Sequence, residues 1–354
     1  MSASMTTHRT ALLNSWAFLL LLVFVACTGG GSTGKEAERA VNVYSHRHYD
    51  TDKALFDAFT EATGITVNLV LADDNEVLAR LEREGERSPC DLLITSDAGR
   101  LGQARMRGLL RPVRSALLDS VVPAPLRDPE GHWYGLTMRA RVLAYNKTKV
   151  RPEELSTYQA LTAPQWKGRL LARSAENLYN QSLMAAFVAH YGSDSAKAWA
   201  RGVAANFARD PKGSDTDQLL AVAEGIGDVA LANSYYIGKL MSGTEPERAK
   251  AREVLAVALP SMGGSGTHVN VSGAAVVKHA RHEAEAIALL EYLLGAEAQR
   301  AFAEGNKEYP VRRGVAVDPV LASFGALNPD TLDLAQLGLN NATAVKGLQA
   351  AGWR

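Results

Sequence analysis

The 354-residue chain predicts an α/β protein built from two sheet-and-helix units. Three observations carry that expectation. Residues 41–96 alternate apolar, β-branched runs with segments of helical period, and a similar set recurs between 140 and 234. A glycine-punctuated extended stretch, VLAVALPSMGGSGTHVNVSGAAVV (254–277), can then return the chain from one unit to the other. With 47% apolar residues and 38 basic against 38 acidic side chains, the composition excludes disorder by net charge and a surface built for polyanions, so no nucleic-acid partner is expected.

In chain order, the first feature is the apolar run WAFLLLLVFVA from Trp16 to Ala26, 11 residues long. A membrane span needs roughly 20. Preceded by Arg9 and followed by small residues, the run fits the hydrophobic region of a secretory signal, so residues 1–27 are expected to be a signal peptide and 28–40 a flexible, glycine-rich linker. Its removal takes one arginine and no acid, leaving 37 basic against 38 acidic residues and a charge of about −1. The end of the run, Val25-Ala26-Cys27 before TGGGSTGKEAE, resembles the lipobox of bacterial lipoproteins, with Phe24 departing from the usual leucine. That resemblance implies lipidation of Cys27, the alternative being ordinary cleavage and release. Cys90 then has no disulfide partner and reads as a small buried hydrophobe.

From position 41, VNVYS is a strand, and DTDKALFDAFTEATG sets Leu55, Phe56 and Phe59 at helical spacing before Gly64 stops it, with Asp50 or Thr51 able to cap. ITVNLVLA (65–72) is a strand, NEVLARLERE (75–84) an amphipathic helix ended by Gly85, and DLLITS (91–96) a buried strand. This βαβαβ order predicts a parallel sheet flanked by helices. The second set comprises ARVLAYN (140–146), RLLARS (169–174), a helix from about 180 to 191, and DVALANS (228–234). The run AEAIALLEYLLGAEAQRAFAEG (284–305) reads as helical. So does most of 316–354, which carries no recognisable chemistry.

Chemistry-bearing residues gather after the strands, where α/β sheets bind ligands. The first strand runs into YSHRHYD (44–50), Tyr179 follows the RLLARS strand, and Tyr235 and Tyr236 follow DVALANS. Tyrosine titrates near 10, so a phenol is a poor neutral-pH ligand unless a hard, highly charged cation expels its proton. Ferric iron is such a cation, and three phenolates neutralise it. Zinc and copper would prefer His and Cys, which are scarce among 8 histidines and 2 cysteines.

The segments YSHRHYDTD, WYGLTMRARVLAYN, QWKGRLLARSAENLYNQSL, NFARDPKGSDTDQ, ALANSYYIGKL, GTHVNVSGAAVVK and EGNKEYPVRRG together resemble the bacterial ferric-iron-binding proteins of ABC transporters, in their cyanobacterial-type branch. The resemblance implies a class II, two-lobe periplasmic binding protein, each lobe a mixed sheet flanked by helices, with the ligand in the interlobe cleft. It implies one lobe from 41–137 plus 263–310 and another from 138–262 plus 311–354. Matched one at a time, the ligands are His48, Tyr49, Tyr179, Tyr235 and Tyr236. Arg139 is the cation implied to offset the single negative charge left by four phenolates around Fe³⁺, with Arg47 and Lys239 also near the metal. Lys239 stands where the family often has arginine. His46 replaces a small polar residue and reads as a bystander or an assistant, and Arg141 as a second cation or a hinge salt bridge.

Function follows as expectation: an exported, monomeric, non-catalytic protein of the periplasm or outer cell envelope takes Fe³⁺, or Fe²⁺, closes on it, and delivers it to an inner-membrane ABC permease. A same-fold protein for a polyamine or organic anion is the nearer rival, but would want carboxylates beside aromatics, or more arginine. A zinc hydrolase starting from His46 and His48 is the remote one. It lacks further ligands, since His190 falls in a helix, His268 in the glycine-rich crossing, and His279 and His282 beside a surface helix.

Overall fold

The first apolar runs form strands β1 (Ala40–Ser45), β2 (Thr66–Leu71) and β3 (Leu92–Thr95), with β1 parallel to both neighbours. The structure, a computed structural model, describes residues 39–354. The expected signal peptide, Cys27 and most of the linker lie outside the described residues. Between β1 and β2 the helix Asp50–Thr63 buries Leu55, Phe56 and Phe59 and ends at Gly64, whose φ of 69° is the left-handed turn glycine adopts without strain. The expected cap at Asp50 or Thr51 is not formed. Tyr49 holds the N-cap position with no side-chain cap bond, and the first-turn carboxylate of Asp52 turns to Arg47 instead.

The remaining strands are β4 (Tyr134–Asn146), β5 (Leu170–Leu171), β6 (Val229–Asn233), β7 (Leu255–Ala258), β8 (Val269–Val276) and β9 (Tyr309–Pro310). The parallel pairing expected of the first three strands is extended by β8, which comes back antiparallel beside β3, so the sheet is mixed, as the resemblance implies. The returning stretch 254–277 is therefore two strands of the sheets. Strand β4 is the pivot of the topology. Its 13 residues are all buried, and it changes partners midway. Tyr134–Ala140 pairs with β8, and Thr137 and Met138 also with β9, whereas Arg141–Asn146 pairs with β6 and β7. One continuous strand thus belongs to two sheets.

Helices cover the sheets, among them Ala98–Met106, Leu178–Tyr191, Asp215–Glu224 and Ser234–Ser242. The single helix expected at 284–305 is two, Glu283–Leu293 and Ala296–Asn306, because Gly295 leaves helical geometry at φ −65° and ψ 154°. A final helix, Ala335–Ala350, lies so close to helix Ala98–Met106 that a Cβ on Gly338 would stand 3.0 Å from the Gly99 carbonyl oxygen and 3.2 Å from Gly102 Cα. Beyond it, the indole of Trp353 is buried and donates to the Arg173 carbonyl oxygen at 2.9 Å. Cys90 is fully buried, as expected of a small hydrophobe.

Candidate metal centre

Every phenol singled out from sequence sits at the start of a helix. Tyr49 is the N-cap residue of Asp50–Thr63, Tyr179 the second residue of Leu178–Tyr191, and Tyr235 and Tyr236 the second and third of Ser234–Ser242. β1 leads into the first of these helices, β5 precedes the second, and β6 runs directly into the third. A helix start carries partial positive charge from its free N–H groups, which favours an anion such as phenolate.

The phenols converge. Tyr179 and Tyr235 hydroxyls lie 3.1 Å apart in a hydrogen bond, and the rings of Tyr235 and Tyr236 sit 4.2 Å apart. Burial pushes the Tyr235 phenol well above its ordinary value, and charge on Tyr179, Tyr49 and Tyr236 would push it further, so all four act on one another. Tyr49 is pushed up to about 12, first by burial and then by Glu308, against an opposing pull from Arg47. Tyr179 is raised by burial and then by Tyr236, with Arg139 opposing. Raised in this way, Tyr49, Tyr179 and Tyr235 keep their protons at neutral pH. A bound cation has to displace their protons.

The predicted cations are at hand, but not equally available. Arg47 is buried and gripped by two carboxylates, Asp52 (2.6 Å) and Glu308 (3.1 Å), while its guanidinium carbon lies 4.8 Å from the Tyr49 ring centre. Lys239 Nζ is 4.4 Å from the Tyr49 ring centre and 5.9 Å from that of Tyr235, and burial lowers its affinity for a proton. Arg139 lies 5.5 Å from the Tyr179 ring centre but donates to the Ser96 carbonyl oxygen and sits 3.7 Å from Asp97. Arg141 pairs with Asp215 at 2.8 Å and donates to Asn180 and Asn233, bracing β4 against neighbours that follow it in the chain.

The two first-strand imidazoles behave differently from the phenols. His48 is exposed, and its ring meets that of His46 edge-on at 5.8 Å. His46 bonds through Nδ1 to Ser96 Oγ at 2.9 Å. A cavity of about 430 Å³ opens here, lined among others by His46, Ser96, Arg173, Asn177, Tyr179 and Tyr236. Sequence reasoning missed Arg173, whose guanidinium carbon is 5.5 Å from the Tyr179 ring centre. Its signal was the second arginine of RLLARS, six residues before Tyr179. Three other histidines pair elsewhere: His190 with Asp330, His282 with Asp91 and His132 with Asp128. Among the described residues no three His, Cys, Asp or Glu side chains gather as a zinc hydrolase would need.

Two sheets sharing one strand, with phenols from three helix starts facing one another, define a two-lobe binding protein. The chain belongs to the bacterial extracellular solute-binding proteins, whose family model matches residues 88–328. Iron uptake protein A2 of Synechocystis sp. is 48% identical over 318 residues, 89% of this chain and 90% of that protein. A Trichodesmium protein solved in complex with iron and citrate superposes with a TM-score of 0.86 at 47% identity, across 89% of this chain and all of the other. A ferric-binding protein from Campylobacter jejuni follows at 0.84 and 36%, again across 89% of this chain and all of that one.

Proposed function

We propose that this chain is an extracytoplasmic receptor that captures ferric iron as cargo and hands it to an ABC permease, without catalysis. The observation that carries this reading is the convergence of Tyr49, Tyr179, Tyr235 and Tyr236. Neutral phenols attract no ordinary divalent ion, whereas a hard trivalent ion repays their deprotonation with strong anionic bonds. The names of the relatives, iron uptake and ferric-binding proteins, support the same cargo.

In this reading Tyr235 and Tyr236 meet iron on one lobe, and closure adds Tyr49, with His48 joining from the exposed rim. The change of β4 partners between Ala140 and Arg141 supports a division into two lobes, 41–137 plus 263–310 and 138–262 plus 311–354, with the crossing of β4 three residues later than that bound. Protons returning to the phenolates, or reduction to Fe²⁺, weaken the complex and release it. Export through residues 1–27 and a lipid on Cys27 would hold a monomeric receptor beside its permease.

The test is a visible absorption titration with ferric citrate of the protein from about residue 35 onward. A phenolate-to-iron band saturating at one equivalent and bleached by dithionite is the expected result. Tyr235→Phe with Tyr236→Phe removes two hydroxyls and no packing, and is expected to abolish tight binding while the fold persists. Retained affinity in competition with citrate would refute the site.

A further inference from the structure

We propose that Arg173, rather than Arg139, supplies the main offset for the negative charge of the iron–phenolate complex. The inference rests on the ferric reading above and adds a binding residue to it. Five cations surround the phenols, and the structure separates them by what they already hold. Arg47 faces both Asp52 and Glu308 and so belongs to a cluster of net charge −1. Arg139 and Arg141 each sit with one carboxylate, Asp97 and Asp215, and cancel. Among the described residues, neither Arg173 nor Lys239 forms an ion pair, although Asp217 acts on Arg173 from farther off, Glu308 and Asp52 act on Lys239, and Asp73 and Glu176 line the same cavity. The five cations and the four carboxylates paired with them sum to +1. Fe³⁺ with four phenolates carries −1, and a cation that holds no carboxylate in an ion pair is the one free to offset it.

Of the two, Arg173 is the one built into the cavity wall. Its backbone carbonyl oxygen accepts from Asn180 Nδ2 and from Trp353 Nε1, both at 2.9 Å, so the side chain starts from a fixed point. Its Nε is buried without a hydrogen-bond partner, and the residue lines the 430 Å³ cavity beside Tyr179 and Tyr236. An unpartnered guanidinium donor beside a phenol is costly in the empty protein and becomes favourable when that phenol turns anionic.

The experiment measures ferric affinity by competition with nitrilotriacetate for the full chain and for Arg173→Gln, Arg173→Lys, Arg173→Ala and Arg139→Gln. Loss of one charge at this range is expected to weaken Arg173→Gln on the order of 10- to 100-fold. Arg173→Lys should retain affinity within about threefold, and Arg139→Gln should lose less than Arg173→Gln. Guanidinium ion, but not urea of the same shape, should restore Arg173→Ala through the open cavity, a rescue that a purely structural role would not show. Unchanged affinity in Arg173→Gln, equal rescue by urea, or a larger loss in Arg139→Gln would overturn the assignment. So would a wild-type requirement for an added small carboxylate that vanishes in Arg173→Gln, which would make the side chain an anion anchor. A wild-type protein with no phenolate band would instead sink the ferric reading itself, and this inference with it.

Discussion

His268 is buried beside the candidate centre, and its surroundings oppose a second proton. Burial first, then Arg141 and Arg139, depress its value from 6.5 to about 3. The folded protein therefore stays unprotonated there while the unfolded chain takes up a proton below 6.5, so stability falls as pH drops through that window. Urea unfolding of His268→Gln against wild type at pH 7, 5 and 4 is expected to show the variant gaining on the wild type as pH falls. A constant difference would show that His268 does not contribute to acid sensitivity. Residues of this kind mark the limit of sequence reading. Tyr49, Tyr179, Tyr235 and Tyr236 were legible because each follows a strand-like run. A salt bridge was one of the two readings of Arg141, but its partner and the ion pair of Arg139 were not legible, because Asp215 and Asp97 are 74 and 42 residues away in number and meet them only through folding.

Among elements, the closest approach is made by the final helix. Gly338 faces backbone atoms of helix Ala98–Met106 that cannot rotate away. Gly338→Ala is expected to cost about 1–3 kcal/mol, read as a lower urea midpoint with an unchanged slope. No loss would mean that the helices can separate freely. The pattern at 335–350 showed a helix but not its partner, since a glycine face has no apolar stripe to announce it. Helix Asp50–Thr63 was plain from Leu55, Phe56 and Phe59, whereas 284–305 hid its break because Leu294 and Gly295 interrupt a run that stays apolar on both sides. RLLARS yields a strand of only Leu170–Leu171, an edge element held by β6 alone among the named strands.

For the whole molecule, iron that binds only the folded form stabilises it by mass action, about 4 kcal/mol at a thousandfold excess over Kd. A rise in Tm of several degrees with ferric citrate is expected, together with a smaller radius of gyration in solution scattering as the lobes close. Stabilisation without compaction would leave binding intact and remove closure from the mechanism. The two-unit plan was legible from the recurrence of strand and helix patterns. That one strand serves both units was not, because ARVLAYN reads as a beginning when it is the second half of β4.

The shared strand places Arg139 opposite Asn270 of β8 and Arg141 opposite Asn233 of β6, with Ala140 between them and the Tyr179 ring within 6 Å of both guanidiniums. Any torsion at that peptide carries one guanidinium off with each sheet, together with its carboxylate partner, so a small mechanical angle reorients two dipoles around a single phenol ring.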